Sequence, residues 1–181
     1  RGLTFQDIVK WKIGFCPDGK YKERIIIPSF NLDGKLDFFE ARSYTNHPIP
    51  YLKPDIEKDI IFNELFLNWN EDIVLTEGVF DVIVAGNGVP LLGSEVLDEN
   101  SNIFQKIGLN CKKIWTALDP DAIEKEKKIM KIFWMYGIDV LKIKIRPYKD
   151  IGEMTKEEFQ KRKNAAKLVN FENDIEFALE E

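Results

Sequence analysis

The residues of this chain best suited to chemistry are acids that directly follow short apolar runs. Glu77 and Gly78 come just after the apolar run 73–75, and Asp81 follows four positions after Glu77. We interpret this stretch as a buried strand, a tight turn and a helix. Asp81 would then lie in the first turn of the helix, and Gly78 would leave room for a ligand or a second loop to approach.

Two further acidic sites follow later apolar runs. Asp119 and Asp121 come after the run 114–118, and Asp150 comes after the run 140–145. If these runs are parallel strands, their carboxyl ends lie at one edge of the sheet, where α/β proteins hold their ligands. The sequence therefore predicts that the three acidic sites converge.

Converging carboxylates point to metal chemistry. Unpaired carboxylates that lie close together repel each other, and one takes up a proton unless a cation intervenes. Hard oxygen ligands of this kind suit Mg²⁺ or Mn²⁺. Two such ions about 4 Å apart would organise an in-line phosphoryl transfer. We therefore expect two or more ions at this edge of the sheet.

Each acid also has a structural alternative. Asp119 could be a helix N-cap that precedes a first helical residue, Pro120. Asp81 and Asp121 could be first-turn acids that interact favourably with the helix dipole, and Asp150 could be a loop residue. Capping does not explain Glu77, which follows a strand and has no helix end to complete.

The elements that would position these acids alternate from residue 72 onward. Strands are predicted at 73–76, 89–92, 113–118 and 139–145, and helices at 79–86, 98–107 and 121–136. This order predicts a parallel sheet with helices on its faces. The tail begins with a capping box at Thr155, which predicts a helix to about Leu168 and a second short helix from Glu172.

The first 70 residues have a different pattern. Thr4 to Trp11 predicts a short helix with Thr4 as N-cap. Residues 24–30 and 35–44 predict a β-hairpin with Pro28 at an edge or a bulge, and residues 55–68 are compatible with a helix or with a helix plus an extended piece. The expected domains are residues 1–70, 71–154 and 155–181.

Composition excludes several classes of protein. The 181 residues are 44% hydrophobic but contain no apolar run long enough for a membrane span. Because His47 is the only histidine and Cys16 and Cys111 are isolated, we expect no zinc in this chain. The net charge of −5 argues mildly against nucleic acid, but residues 1–58 hold ten basic and eight acidic residues, against three and ten in 59–120.

The acidic sites resemble a known motif. A Glu-Gly pair with an Asp behind it, then Asp-x-Asp about forty positions later, is similar to the Toprim motif. That fold serves bacterial-type primases, topoisomerases and some nucleases. The flanks resemble the RNA polymerase domain of DnaG-type primases, in RGL at 1–3, IGF at 13–15, RIIIP at 24–28, DGKL at 33–36, AR at 41–42, YL at 51–52, Lys58, LGS at 92–94 and KD at 149–150.

This resemblance implies a fold and an activity. The fold would be α/β plus α+β: a Toprim-type parallel sheet flanked by helices, preceded by a smaller mixed N-terminal subdomain and followed by a helical tail. The activity would be primer synthesis by metal-assisted nucleotidyl transfer. The implied partners are single-stranded DNA, ribonucleoside triphosphates, a replicative helicase and an upstream zinc-binding module, in the cytoplasm of a bacterium or a phage-infected host.

The resemblance also assigns residues. Glu77, Asp119 and Asp121 would be catalytic, and these three with Asp81 and Asp150 would hold Mg²⁺ or Mn²⁺. The basic residues that would contact template and nucleotide phosphates are Arg24, Arg42, Lys53 and Lys58. Tyr44 and Tyr51 could stack on bases.

The chain departs from the family pattern at two places. In the second motif the family usually has Asp-Gly-Asp followed by Ala-Gly, whereas this chain has DPDAI at 119–123. In the late motif Gly152 stands where a second Asp is common, and Glu153 could substitute for it. Two other functions use the same residues: a Toprim-type nuclease, and a non-catalytic replication adaptor that binds helicase or DNA and keeps the acids as caps.

Overall fold

The computed structural model describes residues 3–56, 58–93 and 99–170. The chain divides into two compact units. One unit comprises Gly2–Glu57 and Ile61–Leu67, and the other comprises Lys58–Ile60 and Asn68–Glu181 together with Arg1. Within the described residues, no helix has the length and apolarity that crossing a bilayer requires.

The first unit is a small antiparallel sheet preceded by one helix. Its elements are α1 (Phe5–Lys10), β1 (Gly14–Cys16), β2 (Arg24–Phe30), β3 (Leu36–Ser43) and β4 (Tyr51–Leu52). The strands pair in the order β1-β2-β3-β4. The expected helix forms because Thr4 and Asp7 make a capping box, in which the Asp7 N–H donates to Thr4 Oγ1 at 3.2 Å.

The predicted hairpin is present, and Pro28 lies at a position of β2 where β1 does not require a hydrogen bond from its backbone nitrogen. The register of β1 on β2 reaches only from Arg24 to Ile26, so Pro28 lies beyond this pairing. On its other side Pro28 pairs with Phe39 of β3, and the register shifts between Ser29 and Phe30.

The described residues of the segment 55–68 contain no α-helix, so both predicted alternatives, a helix and a helix plus an extended piece, are wrong. Its described residues form bends and turns and one short 3-10 helix, Glu64–Phe66. Phe62 is buried against Phe38 of β3, with ring centroids 6.3 Å apart. The N–H of Asn63 donates to Ser29 Oγ of β2 at 2.8 Å. In an α-helix this N–H would instead bond to a carbonyl of the helix itself.

The second unit is a mostly parallel sheet with helices between its strands. Its strands are β5 (Ile73–Thr76), β6 (Gly88–Pro90), β7 (Lys113–Ala117), β8 (Asp139–Lys142) and β9 (Lys167–Leu168), and its helices are α2 (Val79–Ala85), α3 (Asn102–Asn110), α4 (Ile123–Met135) and α5 (Lys156–Asn164). The strand order is β6-β5-β7-β8-β9, with β5 to β8 parallel. This arrangement confirms the predicted alternation.

The end of the tail differs from the prediction. The helix that begins after Thr155 stops at Asn164, and β9 pairs antiparallel with β8 instead of continuing the helix to Leu168. The strand forms because its backbone covers the edge of β8, where the N–H of Val169 donates to the Val140 carbonyl at 2.9 Å. The second helix predicted from Glu172 lies outside the described residues, as do the first two residues, Ser94 and the predicted helix start at 98.

Candidate active site

Two of the predicted acids lie at the carboxyl edge of the parallel sheet, where β5 and β7 lie side by side. These strands are neighbours, with Thr76 paired to Ala117. The chain leaves β5 toward β6 on one side and leaves β7 toward β8 on the other, so this is the topological switch point of the sheet. Glu77 is the first residue beyond β5 and Asp119 the second beyond β7. Two of the predicted acids therefore end adjacent strands at the switch point.

The two carboxylate oxygens of Glu77 have different surroundings. Oε2 accepts a hydrogen bond from Lys125 Nζ at 2.8 Å. Oε1 is buried and has no hydrogen-bond partner among the described residues. A buried carboxylate oxygen without a donor is costly, so a cation or a donor group fits this position.

Asp81 is buried and joins two loops of the site. It is 6% exposed, and its Oδ2 accepts from the Gly78 N–H at 3.0 Å while its Oδ1 accepts from the Gly152 N–H at 3.1 Å. The pKa of Asp81 is raised from 3.8 to about 7, first by burial and then by the charges of Asp119 and Asp150, which together outweigh the lowering by the two hydrogen bonds. Asp119 and Asp150 are thus both close enough to act on Asp81.

The second motif is a turn before the helix, so capping explains neither of its acids. α4 begins at Ile123, and its N-cap is Ala122, which has no side-chain acceptor. Asp119 lies three residues earlier, half-buried, with its carbonyl accepting from the Ala122 N–H at 2.9 Å. Asp121 is exposed and precedes the first turn. The N-cap alternative for Asp119 and the first-turn alternative for Asp121 are therefore wrong.

The third site is a loop folded onto the start of α2. Asp150 is half-buried and immediately precedes a short 3-10 helix, Ile151–Glu153. Glu153 is exposed, and its Oε2 accepts from the Lys149 N–H at 2.9 Å. The carboxylate of Glu153 closes its own loop, whereas the charge of Asp150 acts on Asp81.

The basic residues predicted for phosphate contacts differ in the contacts that they already make within the protein. The buried guanidinium of Arg24 donates to the carbonyls of Ile49 at 2.9 Å and Pro50 at 3.1 Å, so it holds the Pro-rich loop after β3. Arg42 lies over the ring of Tyr51 at 4.3 Å. Arg24 therefore stabilises the structure of the loop, whereas Arg42 and Tyr51 remain partly exposed to solvent.

The two lysines lie in different units. Lys53 is in the first unit, with its Nζ 3.6 Å from Glu40 Oε2, a buried acid. Lys58 belongs to the second unit and is exposed. Tyr44 is also exposed and has the ring of Phe15 6.2 Å away.

Sequence reasoning missed two lysines of α4 and β8 that pair with acids at the site. Lys125 pairs with Glu77. Lys142 Nζ lies 3.2 Å from Glu126 Oε2, and this buried pair lines a small cleft together with Asp119. A signal for Lys125 was available. A lysine in the first turn of a helix is disfavoured by the helix dipole, so it needs an acidic partner.

The donor set agrees with a hard metal ion, although no complete ligand group is assembled. Nowhere in residues 3–56, 58–93 and 99–170 do three or more His, Cys, Asp or Glu side chains lie in an arrangement that could hold a metal ion. The candidate ligands are all carboxylates, which suit Mg²⁺ or Mn²⁺. The partnerless Oε1 of Glu77 is the observation that fits such an ion best.

Comparison with solved structures identifies the fold. The Aquifex aeolicus primase (zinc-binding and RNA polymerase domains) has a TM-score of 0.76 and 18% identity over 93% of this chain and 54% of its own. A DnaG primase catalytic domain bound to single-stranded DNA has a TM-score of 0.73 and 16% identity over 92% of this chain and 69% of its own.

A phage protein shows the same likeness. The bacteriophage T7 primase domain of gp4, solved with an RNA/DNA hybrid and dTTP, has a TM-score of 0.65 and 16% identity over 93% of this chain and 90% of its own. Neither the models of known protein families nor the sequences of characterised proteins match this chain. This chain spans about half the length of the Aquifex chain.

These likenesses confirm, at the level of fold, the resemblance drawn from the sequence. The chain combines an antiparallel sheet with a mostly parallel sheet and its helices, and the match to the Aquifex structure covers 93% of the chain. The chain has the fold of the catalytic cores of DnaG-type primases.

Proposed function

We propose that this chain is the catalytic core of a DNA primase, which makes RNA primers on single-stranded DNA by metal-assisted nucleotidyl transfer. One observation carries the proposal. In a chain with the fold of primase cores, Glu77 and Asp119 end adjacent strands at the switch point of the sheet. Open α/β sheets bind their ligands at this place.

The acids divide into ligands and supports. Glu77, Asp119, Asp121 and Asp150 would hold Mg²⁺ or Mn²⁺, which when bound supplies charge neutralisation of the triphosphate and activation of the primer 3′-hydroxyl. Asp81 is a weaker ligand than its position in the motif implies, because both of its oxygens already accept backbone N–H groups. Its contribution is to hold the loop of Asp150 against α2.

The template and nucleotide would be bound through local basic residues, since the net charge of the chain is −5. Arg42, Lys53 and Lys58 would neutralise phosphates, and the Arg42–Tyr51 stack offers a flat surface for a base. Arg24 would act indirectly, by holding the loop that follows β3. Support for these partners comes from solved neighbours that contain single-stranded DNA and an RNA/DNA hybrid.

The wider assembly follows the same analogy. We propose an upstream zinc-binding module, as in the Aquifex chain, and a replicative helicase as partners in a bacterial or phage cytoplasm. Residues 1–70 would carry template and nucleotide contacts, residues 71–154 the Toprim-type catalytic site, and residues 155–181 the tail.

The direct test is ribonucleotide incorporation on a single-stranded DNA template with Mg²⁺ or Mn²⁺. The wild-type chain should extend new RNA, and Glu77→Gln and Asp119→Asn should each reduce the rate at least about 100-fold, because each removes charge aimed at the reacting phosphates. Glu124→Gln is the matched control, since this acid lies on α4 and is 77% exposed. A shortened template in place of new RNA would make the chain a nuclease.

The second candidate is the non-catalytic adaptor, which the incomplete ligand group of the described residues favours. A titration with Mn²⁺ separates the two. The primase proposal requires Mn²⁺ binding that weakens in Glu77→Gln with Asp119→Asn. Wild-type protein that binds DNA but neither Mn²⁺ nor ribonucleotides would establish the adaptor.

A further inference from the structure

Lys125 forms an ion pair with Glu77, one of the proposed metal ligands. It is the third residue of α4, and its Nζ lies 2.8 Å from Glu77 Oε2. Both side chains are largely buried, with 20% of Lys125 and 19% of Glu77 exposed. A lysine there faces the positive end of the helix dipole, so its own helix does not favour it. The ion pair therefore serves to hold the carboxylate of Glu77 in place.

The Lys125–Glu77 pair differs from an ordinary surface ion pair, and α4 contains such a surface pair for comparison. Lys127 Nζ lies 3.2 Å from Glu124 Oε1 on the same helix, with 29% and 77% of the side chains exposed. Such exposed pairs contribute little. The Lys125–Glu77 pair differs because it joins two segments 48 positions apart and because the second oxygen of Glu77 is buried with no partner in the described part of the chain.

We propose that Lys125 is a positioning residue for Glu77, which fixes Oε2 and thereby presents Oε1 as the oxygen that binds the metal ion. The inference rests on the proposed function, since Glu77 acts as a ligand only in that scheme. Carboxylates that bind metals are commonly held by an outer hydrogen bond, whose loss costs about 10- to 100-fold in metal affinity. A lysine that merely replaced the metal would instead compete with it.

The test is Mn²⁺ binding by the whole chain, measured by calorimetry or electron paramagnetic resonance. Lys125→Met should weaken binding about 10-fold or more, because Glu77 loses the group that orients it. Lys125→Arg, which retains a charged donor, should stay within a few-fold of wild type. Lys127→Met removes the same charge from the same helix and should leave the affinity unchanged.

A second readout separates positioning from a merely structural role. In primer synthesis, Lys125→Met should need about 10-fold more metal for half-maximal rate and should recover most of the wild-type kcat at saturating metal. Glu77→Gln should not recover. If Lys125→Met folds poorly, as judged by circular dichroism, the Lys125→Arg titration decides, and a loss of affinity in that variant overturns the inference.

The outcomes are distinct for the two proposals. Wild-type binding with unchanged or tighter binding in Lys125→Met overturns the role of Lys125 and leaves primer synthesis standing. Tighter binding would show that the lysine competes with the metal. A wild-type chain that binds no Mn²⁺ overturns both.

Discussion

Asp81 is held in an environment that favours its neutral form. Its pKa is about 7 in the folded chain against 3.8 in the unfolded one, and burial is the largest cause. At pH values between these two, the folded state holds a proton that the unfolded state has lost. Stability therefore falls as the pH rises from about 4 to about 7, and the full penalty is present above that range.

The size of this effect follows from about three pH units at about 1.4 kcal/mol each, or roughly 4 kcal/mol. Asp81→Asn should flatten the fall in unfolding free energy between pH 4 and pH 7, because the amide has no charge to bury. Urea denaturation in the presence of a chelator measures this. Asp33→Asn, in the exposed turn after β2, should keep the wild-type slope, and parallel slopes for wild type and Asp81→Asn would contradict the assignment.

The sequence identified a candidate functional residue where no local structural role, such as helix capping, could explain the residue type. Glu77 stood out because it follows a strand and has no cap to form, and it lies at the switch point. The double role of Asp81 was invisible, because its second partner, Gly152, is 71 positions away. Lys125 did leave a signal, its place in the first turn of α4, but the sequence does not show that its acidic partner lies 48 positions earlier.

At the scale of elements, the junction of β5 and β6 depends on the absence of a side chain at Gly88. A Cβ built on Gly88 would overlap the carbonyl oxygen of Val74, whereas one built on Gly108 of α3 meets nothing nearby. The strand β6 therefore approaches β5, the strand that ends at Glu77, more closely than any larger residue permits.

This contrast gives a paired prediction. Gly88→Ala should destabilise the unit by about 1–3 kcal/mol, the usual cost of overpacking, because either β6 or Val74 must move. Gly108→Ala should stabilise by about 0.5–1 kcal/mol, because alanine favours the helix. Thermal and urea unfolding measure both, and a Gly88→Ala variant as stable as wild type would refute the close approach.

Elements with strong periodicity were predictable, and short or non-repeating ones were not. The four parallel strands and the helices between them followed from alternation of apolar runs. β9 has only two residues, too few for a pattern, and it exists because β8 has an edge to pair with. The start of α4 was placed too early because Asp119 and Pro120 imitate a cap.

At the scale of the whole molecule, an acidic protein is proposed to bind a polyanion. With a net charge of −5, only local basic residues can supply the attraction. Three phosphate contacts, from Arg42, Lys53 and Lys58, imply a slope of log K against log salt of about −2 for single-stranded DNA, at about −0.7 for each contact.

Removing one contact should change this slope measurably. Arg42→Ala should weaken binding and make the slope shallower by about 0.7, because one fewer counterion is released. Fluorescence anisotropy with a labelled oligonucleotide between 50 and 200 mM salt is a suitable measurement. Lys127→Met on α4 is the control, and an identical slope in Arg42→Ala would remove that residue from the interface.

The division into two units was only partly readable from the sequence. The change in rhythm near residue 70 marked the start of the parallel sheet, which begins at Ile73. The assignment of Lys58–Ile60 to the later unit, with the following segment in the earlier one, leaves no mark in composition. It depends on contacts such as Asp59 Oδ2 with the Asn102 N–H at 2.7 Å.

Because one carboxylate accepts the amide protons of both Gly78 and Gly152, these two amides share their protection from solvent deuterium. They should exchange at similar rates and through the same local opening, although the chain between them folds through three strands of the sheet. In Asp81→Ala both amides should exchange much faster, while the amides of β7 keep their wild-type rates. The start of α2 and the loop that contains Gly152 would thus open in a single event, which the exchange of both amides would measure.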